Sequence, residues 1–170
     1  MDDPRYGTEP PENIPVVSLD TGSFVRVLAG EYEGRAGPFK TVTDVQILDI
    51  TLAPNTELVQ HVPAHLDNAL LYVYKGKVTF SNEVEVGIHQ CARMDAANPH
   101  RGRQFTITSD PEGASFMWFA GKMLKQPIAW HGPFVMTTDA EIKLAIKEYQ
   151  QGSFLKKRAA WDYKRIATKF

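Results

Sequence analysis

From Phe24 to Gly121 the chain is a succession of short runs rich in Val, Ile, Thr and aromatic residues. They read FVRVLAG, VQILDITLAP, NALLYVYKGKVTF, QCARMD, RQFTIT and ASFMWFAG, with Gly, Pro, Asn or Asp between most of them. β-Branched and aromatic side chains suit a pleated, half-buried surface, and the residues between the runs are turn formers. Many short strands at this spacing predict an all-β sandwich or barrel. Lys75-Gly76-Lys77 reads as a tight turn or bulge with Gly76 at positive φ, Ser81–Glu83 as a hairpin tip, and Ser109–Gly113 as a turn.

Helix enters late. In TTDAEIKLAIKEYQQG, Thr138 and Glu141 have capping-box spacing, in which each side chain reaches the other's backbone N–H. Ile142, Ala145, Ile146 and Tyr149 fall on one face, and Gly152 is placed to end the helix in a left-handed conformation. That face needs a partner, and the barrel's outer wall is the expected one. A second helix is expected from about Leu155 to Ala167, anchored by Trp161. Pro4, Pro10, Pro11 and Pro15 forbid a long helix at the start. The expected organisation is a linker-like segment over 1–22, a barrel over 23–134, and a helix with a basic tail over 135–170.

Composition narrows the class. The chain has 170 residues, 43% of them hydrophobic, and a formal net charge of −1. That suits a globular domain and argues against disorder. No apolar run approaches the roughly 20 residues that a membrane-spanning helix needs, so no membrane partner is expected. The acidic, Pro-rich start does not resemble a signal peptide. Cys91 is the single cysteine, which points to a reducing compartment, cytosol or nucleus; it reads as a small buried hydrophobe. Lys156, Lys157, Arg158, Lys164, Arg165 and Lys169 stand against one Asp162 in the tail. A solvated helix face explains that charge, and contact with nucleic acid is expected only indirectly.

Two histidines, His61 and His65, stand just ahead of the run at 68–80, with Pro63 between them. His89 lies in a strand-like region and reads as paired with backbone. His131 precedes Gly132-Pro133, a rigid turn expected to aim Phe134 and Val135 at the core. No Gly-x-Ser-x-Gly and no phosphate-binding Gly-x-x-x-x-Gly-Lys loop is present.

WHGPFVMTTDAEIKLAIKEYQQGSF (130–154) closely resembles the C-terminal signature of the pirin family, two-domain members of the cupin superfamily. PRY (4–6) and IPVV (14–17) resemble the linker between the two pirin domains, VRVLAGEYEGRAGP (25–38) the opening of the second domain, and VPAHLDNALLYVYKGKV (62–78) its central hairpin. The resemblance covers nearly the whole chain, and only the second half of a pirin. It implies a cupin jelly-roll barrel with a capping helix. It also implies that the iron, held by three histidines and a glutamate, belongs to the other half. The family's proposed activities, oxygen-dependent cleavage of flavonols such as quercetin and a redox-sensing role as a nuclear transcription cofactor, depend on that iron.

A cupin binds metal with His-x-His on one strand, because alternate side chains point to the same side, followed by a Glu and a later His. If His61 were the first ligand, Pro63 would stand where the second belongs and Ala69 where the glutamate falls. Asn98-Pro99-His100-Arg101-Gly102 resembles the HPHRG of the iron-bearing half, with Asn98 in place of its first histidine. The remaining metal candidates are His61, His65 and His100; no cofactor is expected in this chain. The leading expectation is a module that docks to an iron-bearing cupin domain or another protein, with homodimerisation as one outcome, in the cytoplasm or nucleus. The alternatives are a quercetin 2,3-dioxygenase-like enzyme with a rearranged histidine site, and a truncated, functionless pirin, since Met1 directly precedes linker-like sequence.

Overall fold

The computed structural model describes residues 5–19, 22–94, 102–157 and 160–162. Its elements are β1 (Arg5–Gly7), β2 (Val16–Ser18), β3 (Phe24–Ala29), β4 (Glu31–Tyr32), β5 (Arg35–Ala36), β6 (Val45–Leu52), β7 (Glu57–His61), β8 (Asn68–Phe80), β9 (Glu85–Val86), β10 (Cys91–Met94), β11 (Gln104–Gly121), β12 (Ala129–His131), β13 (Phe134–Met136), α1 (Asp139–Gln150) and β14 (Ala160–Asp162). The chain divides into two compact units, Glu9–Met123 and residues 1–8 with 124–170.

The first unit is the barrel. Its main sheet runs β10-β8-β11-β6-β3-β2, with β7 on β11 and β9 on β8. All of these pairings are antiparallel. Alternation sets the two faces: every second residue of β3 and β6 is buried, placing Val25, Val27, Leu48, Ile50 and Leu52 inside. Leu71, Val73, Val78, Ile107, Phe116 and Trp118 complete the apolar core, all fully buried. Burying each such side chain contributes about 1.5–3 kcal/mol.

β8 and β11 each run through a corner. Inward positions of β8 are Ala69, Leu71 and Val73, then Val78 and Phe80; those of β11 are Ile107 and Ser109, then Ala114, Phe116 and Trp118. Both phases flip between the halves, where the register shifts between Ser109 and Ala114. Because a one-residue slip turns every side chain to the opposite face, the bulges keep both halves apolar inward. Gly76 takes φ +69° at this corner, so Lys75–Lys77 is a bulge within one strand. Ser109–Gly113 is also part of a strand, correcting the turn expected there: Pro111 and Gly113 shape the bulge while β11 continues. Ser81–Glu83 is the hairpin tip expected, with Glu83 at φ +64° and the Phe80 N–H donating to Val84 O at 2.9 Å.

β2 pairs with β3, so part of the segment expected as linker belongs to the sheet. The barrel unit ends at Met123, earlier than the expected 134, because β12 and β13 pair with each other as a separate hairpin. In this second unit α1 packs on that hairpin. Its capping box is complete: Thr138 Oγ1 accepts from Glu141 N–H, and the Glu141 carboxylate accepts from Thr138 N–H. Ile142 and Ala145 are its buried residues. At the other end Gly152 takes φ +70°, with Ser153 N–H donating to Glu148 O and Gly152 N–H to Tyr149 O, a Schellman arrangement. Phe134 meets Tyr149 and Phe154 edge-on at centroid distances of 5.8 and 5.1 Å. Val135, expected to face the core, is 60% exposed, because alternation in β13 sends it to the opposite face from Phe134.

The second helix expected from Leu155 is not formed at its start. Residues 153–157 are irregular, and Ala160–Asp162 is a strand paired in parallel with Arg5–Gly7. Lys156 Nζ instead pairs with Glu148 at 2.6 Å. The remainder of the expected helix, 163–167, lies outside the described residues.

Candidate functional site

The histidine-bearing segment follows β7. Leu58 and Gln60 face inward and are buried, while Glu57, Val59 and His61 face outward and are exposed. Strand periodicity therefore turns His61 away from the barrel interior. After β7 the chain turns at 62–67, with Val62 and Leu66 buried and His65 exposed. Arg103 holds this turn: Nε donates to Val62 O at 3.4 Å, Nη2 to Pro63 O at 2.5 Å, and Nη2 also bonds Leu66 O. Nothing in the sequence singled out Arg103, since one arginine among several near Gly102 carries no spacing signal.

His65 borders an open cleft of about 550 Å³ that Phe39, Lys40, Asp44 and Gln46 also line. Gln46, nearly fully buried, closes the inner wall. Its Oε1 accepts from the Trp118 indole N–H at 3.1 Å and its Nε2 donates to Glu31 O at 2.7 Å. Trp118 fills the barrel from the other side and stacks at a tilt on Phe105, centroids 6.2 Å apart. A second cleft of about 480 Å³ lies among Phe80, Val84, Ala92, Met94 and Phe105.

The structure does not bring His61 and His65 into a shared interior site. Among the described residues no three His, Cys, Asp or Glu side chains converge in a way that could hold a metal ion. His100, with the Asn98–Arg101 segment, lies outside the described residues. At the position expected for a carboxylate ligand, Ala69 is buried at 1% exposure, and Pro63 is half-buried. A hydrocarbon ring and a methyl group offer no lone pair to a cation, so these positions do not fit the family's iron.

His89 lies in a turn rather than a strand, with its main chain paired as expected, and His131 stands beside the expected Gly132-Pro133 turn. His89 sits in a turn at φ +65°; its N–H donates to Val73 O at 2.8 Å, and its ring Nδ1 lies 3.3 Å from the Tyr72 hydroxyl. His131 ends β12 at an exposed turn in which Gly132 takes φ +55°. Cys91 is exposed on strand β10, correcting its reading as a buried hydrophobe; alternation places Ala92 and Met94 inward instead.

Two polar side chains on the barrel, Tyr74 and Arg26, converge on the Asp49 carboxylate. Tyr74 Oη donates to Asp49 Oδ1 at 2.6 Å, and Arg26 pairs with Asp49 at 3.1 Å. Burial first, then the Asp49 carboxylate, raises the Tyr74 phenol above its usual range. No helix among the described residues is long and apolar enough to cross a membrane.

Residues 47–155 match the model of the pirin C-terminal cupin domain. A pirin-like protein of Solanum lycopersicum is 34% identical over 155 residues, covering 89% of this chain and 51% of that protein. Pirin of Rattus norvegicus is 31% identical over 157 residues, covering 88% and 50%. Among solved structures, a quercetin 2,3-dioxygenase from Acinetobacter baumannii superposes with a TM-score of 0.76 at 29% identity, over 84% of this chain and 48% of that one. The chain spans about half the length of the curated relatives it matches. Its barrel is the cupin jelly roll, and the chain belongs to the pirin family as a C-terminal cupin domain.

Proposed function

We propose that this chain is a docking module that holds no metal of its own and acts on an iron-bearing cupin domain. One observation carries the reading: the positions where a cupin would present its second histidine and its glutamate hold Pro63 and Ala69, while His61 points outward. The helix–hairpin unit supports it further. It leaves Ile128 and Trp130 each 76% exposed and Val135 60% exposed, with Trp130 directly opposite Val135 across β12 and β13. Contiguous exposed apolar side chains of this kind mark surfaces that bind other proteins.

The test is co-expression of the chain with the separated N-terminal half of the tomato pirin-like protein, followed by measurement of solution mass. The expected result is a one-to-one complex that Trp130→Ser weakens. A chain that stays monomeric beside that half, or pairs only with itself, refutes docking to a cupin partner. Flavonol cleavage by the chain alone would favour a single-barrel dioxygenase.

A further inference from the structure

The second cleft lies where the inward face of the barrel opens to solvent. Phe80, Ala92 and Phe105 are partly buried and packed against the core, and Met94 is buried beneath them. With Val84 they line a mainly apolar space of about 480 Å³, within the range of about 300–1,000 Å³ found for small-molecule sites. Arg93 also lines this space. Among the described residues no carboxylate pairs with its guanidinium.

A second, independent observation concerns a buried residue beside the cleft, outside its lining. Gln60 lies directly opposite Phe105 in the β7–β11 register, on the same inward face. It is 1% exposed, and its Oε1 has no hydrogen-bond partner among the described residues. A buried acceptor left unpaired costs free energy, and native proteins satisfy nearly all of them. The cleft therefore combines an apolar body with a cation at its rim, and an unmatched buried acceptor lies behind it on the residue paired with Phe105.

We propose that this cleft binds a small hydroxyaryl carboxylate. The aromatic ring would lie between Phe80 and Phe105 over Met94, the carboxylate would meet Arg93, and the ring hydroxyl would donate to Gln60 Oε1. The site needs neither a metal nor a docked partner, so it stands apart from the docking reading.

The test uses 3-(4-hydroxyphenyl)propionate as the probe, titrated into the full chain and followed by the Met94 methyl resonance. The expected result is a saturable shift. Arg93→Gln is expected to weaken the acid about tenfold, as loss of a charge-assisted hydrogen bond would, and to leave the neutral amide of the same compound unaffected. 3-Phenylpropionate, which lacks the hydroxyl, is expected to bind several-fold more weakly. Ala92→Leu, which fills the cleft, is expected to abolish the shift, with circular dichroism confirming the fold. The proposal is overturned by absence of a saturable shift, by acid binding that ignores Arg93→Gln, by no gain from the hydroxyl, or by unchanged binding in folded Ala92→Leu.

Discussion

Gly76→Ala tests the corner at which β8 and β11 change phase. Two costs add there. The backbone is at φ +69°, where a residue with a Cβ loses roughly 1–2 kcal/mol relative to Gly. A Cβ at Gly76 would also overlap the Gly113 carbonyl oxygen and stand 3.1 Å from Ala114 Cα. Both are backbone atoms of the facing strand, so relief requires moving β11, which costs about 1–3 kcal/mol more. The sum is about 2–5 kcal/mol, a large share of a domain stability of about 5–15 kcal/mol. Gly34→Ala is the control: it has φ +70° and nothing within 4 Å of its added Cβ, so it carries only the backbone cost. Urea denaturation followed by tryptophan fluorescence reads both variants against the parent. Gly76→Ala should lower the unfolding free energy by about 1–3 kcal/mol more than Gly34→Ala. Equal losses would show that β8 and β11 do not approach closely at this corner and would refute the paired-bulge argument.

Trp118→Phe removes the indole N–H and leaves Gln46 Oε1 buried without its donor, so stability should fall by about 2–3 kcal/mol in the same assay; a loss under about 0.5 kcal/mol would mean that this bond carries nothing. The Glu141 carboxyl is held below its usual range, first by the Thr137 hydroxyl, then by Thr138. A depressed folded pKa stabilises the helix start above the ordinary glutamate range, and that contribution is lost as pH falls through the folded value. NMR titration should therefore place the Glu141 midpoint below that of a model glutamate, and Thr137→Ala should move it upward; an unmoved midpoint contradicts the assignment. Thr138→Ala should cost about 1 kcal/mol of helix stability, read as earlier loss of the 222 nm signal on heating.

Strand runs and helix caps were legible because they rest on local chemistry. The alternation in FVRVLA and VQILDITL and the Thr138–Glu141 spacing each state their own geometry, and the structure follows them. The segment Ser109–Gly113 misled because Asp-Pro-Glu-Gly has turn composition, while β11 pairs with β8 both before it, to Ser109, and after it, from Ala114, so the strand runs on through a bulge. The short strand at Ala160–Asp162 was invisible for a similar reason: its partner, Arg5–Gly7, lies at the opposite end of the chain, and no local pattern encodes a contact of that separation. In the candidate site, the outward direction of His61 follows from its strand phase, which the proline after it obscured. The Arg103 clamp, the Gln46–Trp118 bond and the Phe80–Phe105 cleft join residues 25 to 72 positions apart, and only the folded register brings them together.

The most direct measurement is elemental analysis of the chain purified after exposure to ferrous iron without oxygen. Substoichiometric iron, unchanged by His61→Ala, is the predicted result. One iron bound per chain and lost in that variant would contradict the account.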